Sequence, residues 1–231
     1  MSLFLDALAW LGDPANWRGA GGIPTRVGQH LAMTVAAVAL AAVVAVPAGA
    51  AVGHLRRGAG AVAAVTGAAR AIPSLGLLTL FGLWLGIGLE APLLTLVVLA
   101  VPSLLAGVYS GFLAVDPAVP QAARAIGFSA PQVVWRVEVP LALPVMLGGL
   151  RAATLQVVAT ATLAAYTADY GLGRYLFAGL KTRDYAQMLG GSLVVIGLAL
   201  LLEVALATCQ RLSYRIADPA GARTRRSPAT A

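Results

Sequence analysis

Long apolar stretches, separated by short polar segments, run through most of the chain. Between His30 and His54 there is no formal charge, and further uncharged runs cover residues 71–89, 91–115, 152–168 and 186–202. A helix needs about 20 mostly apolar residues to cross the hydrocarbon core of a bilayer. The pattern therefore predicts an all-α integral membrane protein with about five transmembrane helices, which we place at residues 29–53, 61–89, 91–114, 141–167 and 186–210.

Two prolines lie inside these predicted spans. Pro73 falls in the second span and Pro102 in the third. Proline lacks a backbone N–H and its ring clashes with the preceding turn, so each is expected to kink its helix unless neighbouring helices compensate.

Composition and charge agree with a membrane location. The chain is 59% hydrophobic and 11% charged, with a mean hydropathy of +0.84, whereas soluble domains are roughly 45–50% apolar and about 25% charged. The net charge is +7. Arginines concentrate after the first span, between the third and fourth, and after the last, which predicts that these places are cytoplasmic, with the N-terminus outside and the C-terminus inside. This distribution explains the basic charge without a nucleic-acid partner.

The two ends of the chain differ from its middle. Leu3, Phe4 and Trp10 belong to an apolar set that predicts an interfacial amphipathic helix, so residues 1–28 are assigned to this helix and an external segment. A short additional span is the alternative. Residues 213–231 are polar and basic, which predicts a disordered cytoplasmic tail.

The segment between the third and fourth spans predicts two short helices joined by a glycine turn. Asp116 can cap the first helix, and Gly127 can end it in a left-handed conformation. Ser129 and Gln132 have the spacing of a capping box for the second helix, and Pro140 starts or precedes the next span.

This segment also resembles a known motif. From Gln121 onward it reads QAA-x3-G-x9-V-x-VP, which is similar to the EAA motif of ABC importer permeases, EAA-x3-G-x9-I-x-LP. The resemblance implies a coupling loop at residues 115–140 that docks into a cleft of a cytoplasmic ATPase. The residues that it assigns to coupling are Gln121, Ala122, Ala123, Gly127 and Pro140. Gln121 replaces the usual glutamate and so removes a charge.

The resemblance extends through residues 70–88, 101–112, 137–154 and 161–180, which are similar to permeases for osmoprotectants. It implies a type I ABC importer permease domain at residues 29–212 in a bacterial inner membrane, importing glycine betaine, choline, carnitine or a related quaternary amine. The implied partners are an ABC ATPase dimer, a second permease copy or a paralogue, and an extracytoplasmic solute-binding protein. There are two departures from the subfamily pattern: ADYGLG at residues 168–173 in place of GAGGLG, and Gly107-Val108 where Asn-Thr is common.

Three residues are candidates for the translocation path. Ser74, Tyr109 and Ser110 supply polar or aromatic surface near helix irregularities, and Tyr109 could offer a cation–π face to a quaternary ammonium. Hydroxyl groups that only pack between helices are the alternative interpretation.

Three charged residues lie within the predicted spans. Arg70 and Arg151 are expected to extend towards the interface, with Glu138 or Asp116 as partners. Glu203 is expected to pair with an arginine, and proton coupling is the alternative.

No chemistry of the chain's own is expected. Its one lysine, Lys181, follows Leu180, so there is no Walker A sequence GxxxxGK, and a partner must hydrolyse ATP. No cluster of His, Cys and carboxylates has metal-ligand spacing, so neither a metal nor a cofactor is expected. Alternatives that remain are an ABC permease for another small polar solute, an ion-coupled secondary transporter using Glu203, and, without a convincing nucleophile and base, an intramembrane enzyme.

Overall fold

The computed structural model describes residues 2–217, and these residues form ten α-helices joined by turns and short irregular helices. The helices are α1 (Ser2–Gly12), α2 (Ile23–Leu55), α3 (Ala59–Ala71), α4 (Ser74–Leu85), α5 (Glu90–Ala114), α6 (Ala118–Ala125), α7 (Ala130–Val133), α8 (Val139–Thr160), α9 (Gly173–Thr182) and α10 (Tyr185–Ala217). Within the described residues, four helical segments can cross a membrane by length and composition, or five if α3 and α4 form one bent span. The predicted all-α membrane fold is confirmed.

The first, third and last spans follow the apolar runs. Helix α5 has 25 residues and is therefore about 37 Å long, enough for a hydrocarbon core of about 30 Å. Pro102 lies inside this continuous helix. Helix α10 continues to Ala217, beyond the predicted end of the permease domain at residue 212. The rest of the predicted tail, residues 218–231, lies outside the described residues.

The second span is not the single helix predicted at residues 61–89. Helices α3 and α4 meet at an angle of 82°. Ile72, just before Pro73, has φ −72° and ψ 120°, which is extended backbone. The proline ring disfavours the helical region for the preceding residue, and the chain leaves the helix there and restarts at Ser74.

The fourth span begins earlier than the predicted residue 141. Helix α7, a π-helical turn at Val134–Glu138, and α8 follow one another without a break, and a 3₁₀ turn at Ala161–Tyr166 ends the segment. The π turn ends two residues before Pro140, which has no N–H to donate to the turn behind it. The second short helix of the 115–140 loop is therefore the beginning of the span itself.

Helix α5 lies between α2 and α8, and small residues bring the three helices close together. A Cβ built on Gly53 of α2 would lie 2.5 Å from the Cβ of Phe112, and one built on Gly107 of α5 would lie 2.4 Å from the Cα of Gly149 in α8. Such contacts exclude any side chain and allow the backbones to approach. The loop that connects α5 to α8 is thus mounted on a closely packed helix pair.

Helix α1 packs across α10 at the opposite end of the bundle. Ala7 is fully buried, and Trp10 lies over Gly190 and edge-on to Tyr175, with ring centroids 5.1 Å apart. Leu3 and Phe4 remain about half exposed on the outer face of the helix. One face of α1 is therefore held by protein, and the other is free to meet a membrane surface.

Candidate coupling loop and translocation path

The 115–140 loop has the local structure that its sequence predicts. The Ala118 N–H donates to the Asp116 carboxylate at 2.9 Å, which caps α6. Gly127 has φ +97°, a value that favours glycine, and its N–H donates to the Arg124 carbonyl at 3.0 Å. The Ser129 N–H donates to Gln132 Oε1 at 2.8 Å, as in the predicted capping box.

The residues that the motif resemblance assigns to coupling face in two directions. Gln121, Ala122, Gly127 and Pro140 are exposed, whereas Ala123 is buried against the protein's own interior. Only one face of helix α6 is therefore exposed.

Two bulky apolar residues of the loop are exposed and were missed by the sequence reasoning. Ile126 is 77% exposed and Trp135 is 72% exposed. The sequence could have indicated them, because Ile126 precedes the turn glycine and Trp135 precedes Arg136 in an otherwise polar segment. Exposed apolar side chains of this size are typical anchors for a protein partner or a membrane surface.

The end of α2 holds the 115–140 loop through side chains. Arg56 Nη2 donates to the Val115 carbonyl, and His54 Nδ1 lies 2.5 Å from Glu138 Oε2. His54 Nε2 lies 3.4 Å from Arg124 Nη2 in α6. These contacts could not be predicted from the sequence, because His54 and Glu138 are 84 residues apart.

The three candidate path residues are not brought together. Ser74 is half-buried at the start of α4, and Tyr109 packs against the apolar core formed by α2, α3, α5 and α8. Ser110 lies on another face of α5, where it lines an open groove of about 400 Å³ between α5, α8 and α10. The small residues Gly107 and Gly149 form part of the same groove.

A polar pair missed by the sequence reasoning lies on this side of α5 and α8. Ser103 Oγ donates to Gln156 Oε1 at 2.9 Å, and Gln156 is exposed. Both residues belong to membrane-spanning segments, where unsatisfied polar groups facing lipid are costly. This face of the bundle is therefore better suited to water or protein than to lipid.

An ion pair joins α8 to α10. Arg151 Nε donates to Glu203 Oε2 at 2.6 Å, and Arg151 Nη1 donates to Gln210 Oε1 at 3.3 Å. Gln210 in turn donates to the Pro144 carbonyl at 3.0 Å. The prediction that Glu203 pairs with an arginine is confirmed. The prediction of Glu138 or Asp116 as the partner of Arg151 is wrong, because Arg151 points towards α10 rather than towards the loop end.

The opposite end of the bundle carries a second charged cluster. Asp169 Oδ1 accepts from Arg26 Nη2 at 2.8 Å and lies 3.1 Å from Arg174 Nε. Gln29 Oε1 accepts from the Gly171 N–H at 3.0 Å. The departure ADYGLG at residues 168–173 is thus matched by side chains of α2 and α9, which hold this segment in place.

Tyr175 fixes the same end of the bundle from α9. Its hydroxyl donates to the Gly21 carbonyl at 2.6 Å, and burial raises its pKa above the ordinary value, although the nearby Arg26 opposes this shift. Among residues 2–217 no group of three or more His, Cys, Asp or Glu side chains is placed to hold a metal ion.

Comparisons with known proteins agree with this architecture. A model of the family described as "Binding-protein-dependent transport system inner membrane component" matches residues 37–219. The chain is 33% identical over 186 residues to the glycine betaine/carnitine/choline transport system permease protein OpuCB of Bacillus subtilis (strain 168), which covers 80% of this chain and 86% of the relative. It is 33% identical over 192 residues to the carnitine transport permease protein OpuCB of Listeria monocytogenes, covering 83% of this chain and 87% of the relative.

A solved structure shares the fold. A chain in an inward-facing structure of the MetNI methionine ABC transporter superposes with a TM-score of 0.69 at 23% identity, covering 80% of this chain and 93% of that chain. This likeness concerns the fold alone, and it confirms the predicted type I permease architecture.

Proposed function

Since the chain belongs to the family of binding-protein-dependent transport system inner membrane components, we propose that it is the membrane subunit of an ATP-driven importer for glycine betaine, choline, carnitine or a related quaternary amine. The solute class is supported by the names of relatives that match about four-fifths of the chain. The work of transport is done by movement of the helices, and ATP is hydrolysed by a cytoplasmic ATPase dimer.

The observation that carries this proposal is the exposed, capped loop at residues 115–140 between α5 and α8. Gln121, Ala122 and the bulky Ile126 form its outward face beside the Gly127 turn and would enter a groove of the ATPase. Ala123 supports α6 from within. Because α5 and α8 are in backbone contact at Gly107, a push on the loop moves both helices together and opens the cavity to the other side.

The arrangement of charges supports the orientation. Arginines follow α2, occupy the 115–140 loop, and lie in the last turns of α10, so the loop end of the bundle would be cytoplasmic. The N-terminus and the segment at residues 168–173 would then face outwards. The solute-binding protein would dock at that outer end, and a second permease copy or a paralogue would complete the pathway.

The polar face of α5 and α8 is the best candidate for the path. Ser110 and the pair Ser103–Gln156 would lie along it, and Ser74 remains a candidate from α4. Tyr109, which packs on the apolar core of the bundle, would instead stabilise the helices that form the path.

The ion-coupled alternative is less well supported. Its one candidate, Glu203, has both carboxylate oxygens bonded to Arg151. Both oxygens are therefore engaged in an ion pair within the bundle rather than left to bind a coupling ion.

Reconstitution tests the proposal directly. The permease is co-expressed with its ATPase and binding protein, purified as a complex, and placed in liposomes, and uptake of labelled glycine betaine, choline and carnitine is measured. We expect uptake only when ATP is present on the side of the liposome membrane to which the ATPase is bound. We expect no uptake with an ATPase that cannot hydrolyse ATP. Uptake driven by an ion gradient without the ATPase would contradict the proposal. ATP-dependent uptake of a different small solute alone would contradict only the solute class.

A further inference from the structure

The end of α2 contacts the 115–140 loop at its beginning, in its first helix and at its end. Arg56 bonds to the Val115 carbonyl, His54 Nε2 faces Arg124 of α6, and His54 Nδ1 faces the Glu138 carboxylate. No peptide connection explains this arrangement, because α2 is separated from the loop by α3, α4 and α5. One imidazole therefore lies between the docking helix and the root of the following span.

The geometry of these contacts allows one imidazole to bridge two partners. In the tautomer that carries its proton on Nδ1, the ring donates to the Glu138 carboxylate at 2.5 Å, and its Nε2 lone pair accepts from Arg124 at 3.4 Å. Glu138 is 5% exposed. Within residues 2–217, His54 is the hydrogen-bonding partner of its carboxylate, and burying a polar group is costly unless it is hydrogen-bonded. The contact between His54 and Glu138 is thus held firmly by the burial of the acid.

Helix α2 is well placed to carry movement away from this point. Gly53, next to His54, lies against Phe112 of α5, so the end of α2 cannot shift independently of its neighbours. At the other end of the same helix, Arg26 bonds to both the carbonyl and the carboxylate of Asp169 in the segment at residues 168–173. One continuous helix therefore connects the 115–140 loop with the opposite end of the bundle.

We infer that His54 is a positioning residue for energy coupling: through Glu138 and Arg124 it ties the 115–140 loop to α2, and it passes loop movement to α2 as well as to α5 and α8. The inference rests on the proposed function as an ATP-driven permease. It adds a third route for the movement, which ends at Asp169 near the outer surface.

The test uses the full complex of permease, ATPase and binding protein in liposomes, with ATP hydrolysis and solute uptake measured in the same sample. The variants are His54→Ala, which removes both contacts, His54→Asn, whose amide can still donate to Glu138, and the double variant His54→Leu with Glu138→Leu. The double variant leaves no unpaired buried charge, so it is expected to fold. Arg57→Ala is the matched control, because Arg57 is exposed beside the same helix end and its side chain makes no hydrogen bond or ion pair within the described residues.

We expect His54→Ala and the double variant to raise the ATP consumed per solute by about 2- to 30-fold, the range for changes of coupling energy of 0.5–2 kcal/mol. Co-purification of the ATPase should be unchanged, His54→Asn should recover part of the coupling, and Arg57→Ala should match the wild type. Wild-type coupling in the folded double variant would overturn the inference. Loss of ATPase binding in that variant would also overturn it, because His54 would then support docking rather than transmission. A wild-type complex that shows no ATP-dependent uptake would instead refute the proposed function.

Discussion

The contact between Gly107 and Gly149 offers the sharpest test of how the bundle is packed. In Gly107→Ala, the new Cβ would lie 2.4 Å from the Cα of Gly149, whereas ordinary van der Waals contact begins near 3.4 Å. The obstacle is backbone, so no side-chain rotation can relieve it. Helices α5 and α8 must therefore separate by about 1 Å, at a cost typical of overpacking, about 1–3 kcal/mol.

A matched variant isolates this cost. Gly197 lies in α10, and a Cβ built there meets nothing within 4 Å. Replacing a helical glycine by alanine gains about 0.5–1 kcal/mol of helix propensity at either site, so the difference between the two variants reports the clash alone.

The assay is thermal unfolding of the purified proteins in detergent, followed by size-exclusion chromatography of samples heated in steps. We expect Gly197→Ala to melt at or slightly above the wild-type temperature, and Gly107→Ala to melt roughly 2 to 12 °C below Gly197→Ala. Equal melting temperatures of the two variants would refute the close approach of α5 and α8.

Three further predictions concern the loop and the spans. Gly127→Val should raise the ATP consumed per solute while the amount of inserted protein stays the same, because φ +97° strains a β-branched residue by about 1–3 kcal/mol; unchanged uptake would contradict this. Glu203→Leu should lower the yield of folded protein, and adding Arg151→Leu should restore it, since the single change leaves an arginine without its partner; the test is the monodisperse yield after purification. Gln121→Glu should strengthen ATPase binding by up to about fivefold at low salt and not at high salt, as measured by co-purification, if the ATPase groove presents a cation. An unchanged affinity would mean that the groove recognises shape.

The local structure of the 115–140 loop was predictable from its sequence. The Asp116 cap and the bond between Ser129 and Gln132 join residues two and three positions apart. The left-handed conformation of Gly127 belongs to a single residue. Short-range features of this kind depend on the identity of a few neighbours. The direction that Ala123 faces could not be predicted in this way, because it is decided by the helices that lie beneath α6.

The prolines show the same limit. Pro73 breaks the second span, whereas Pro102 lies in an uninterrupted α5. Both remove a donor from the helix. Pro102 is buried between neighbouring helices, while Pro73 is exposed. Packing therefore supports a continuous helix around Pro102 and not around Pro73.

The sequence by itself determined that this protein is a helical bundle for a membrane, because uninterrupted apolar runs of sufficient length have few other stable forms in lipid. It also determined the caps and the turn of the 115–140 loop. Only the tertiary structure decided which charges meet: Arg151 with Glu203 across 52 residues, His54 with Glu138 across 84, and Arg26 with Asp169 across 143. Backbone hydrogen bonds in a helix are local and follow from the sequence, whereas a charged side chain finds its partner only after the helices have packed.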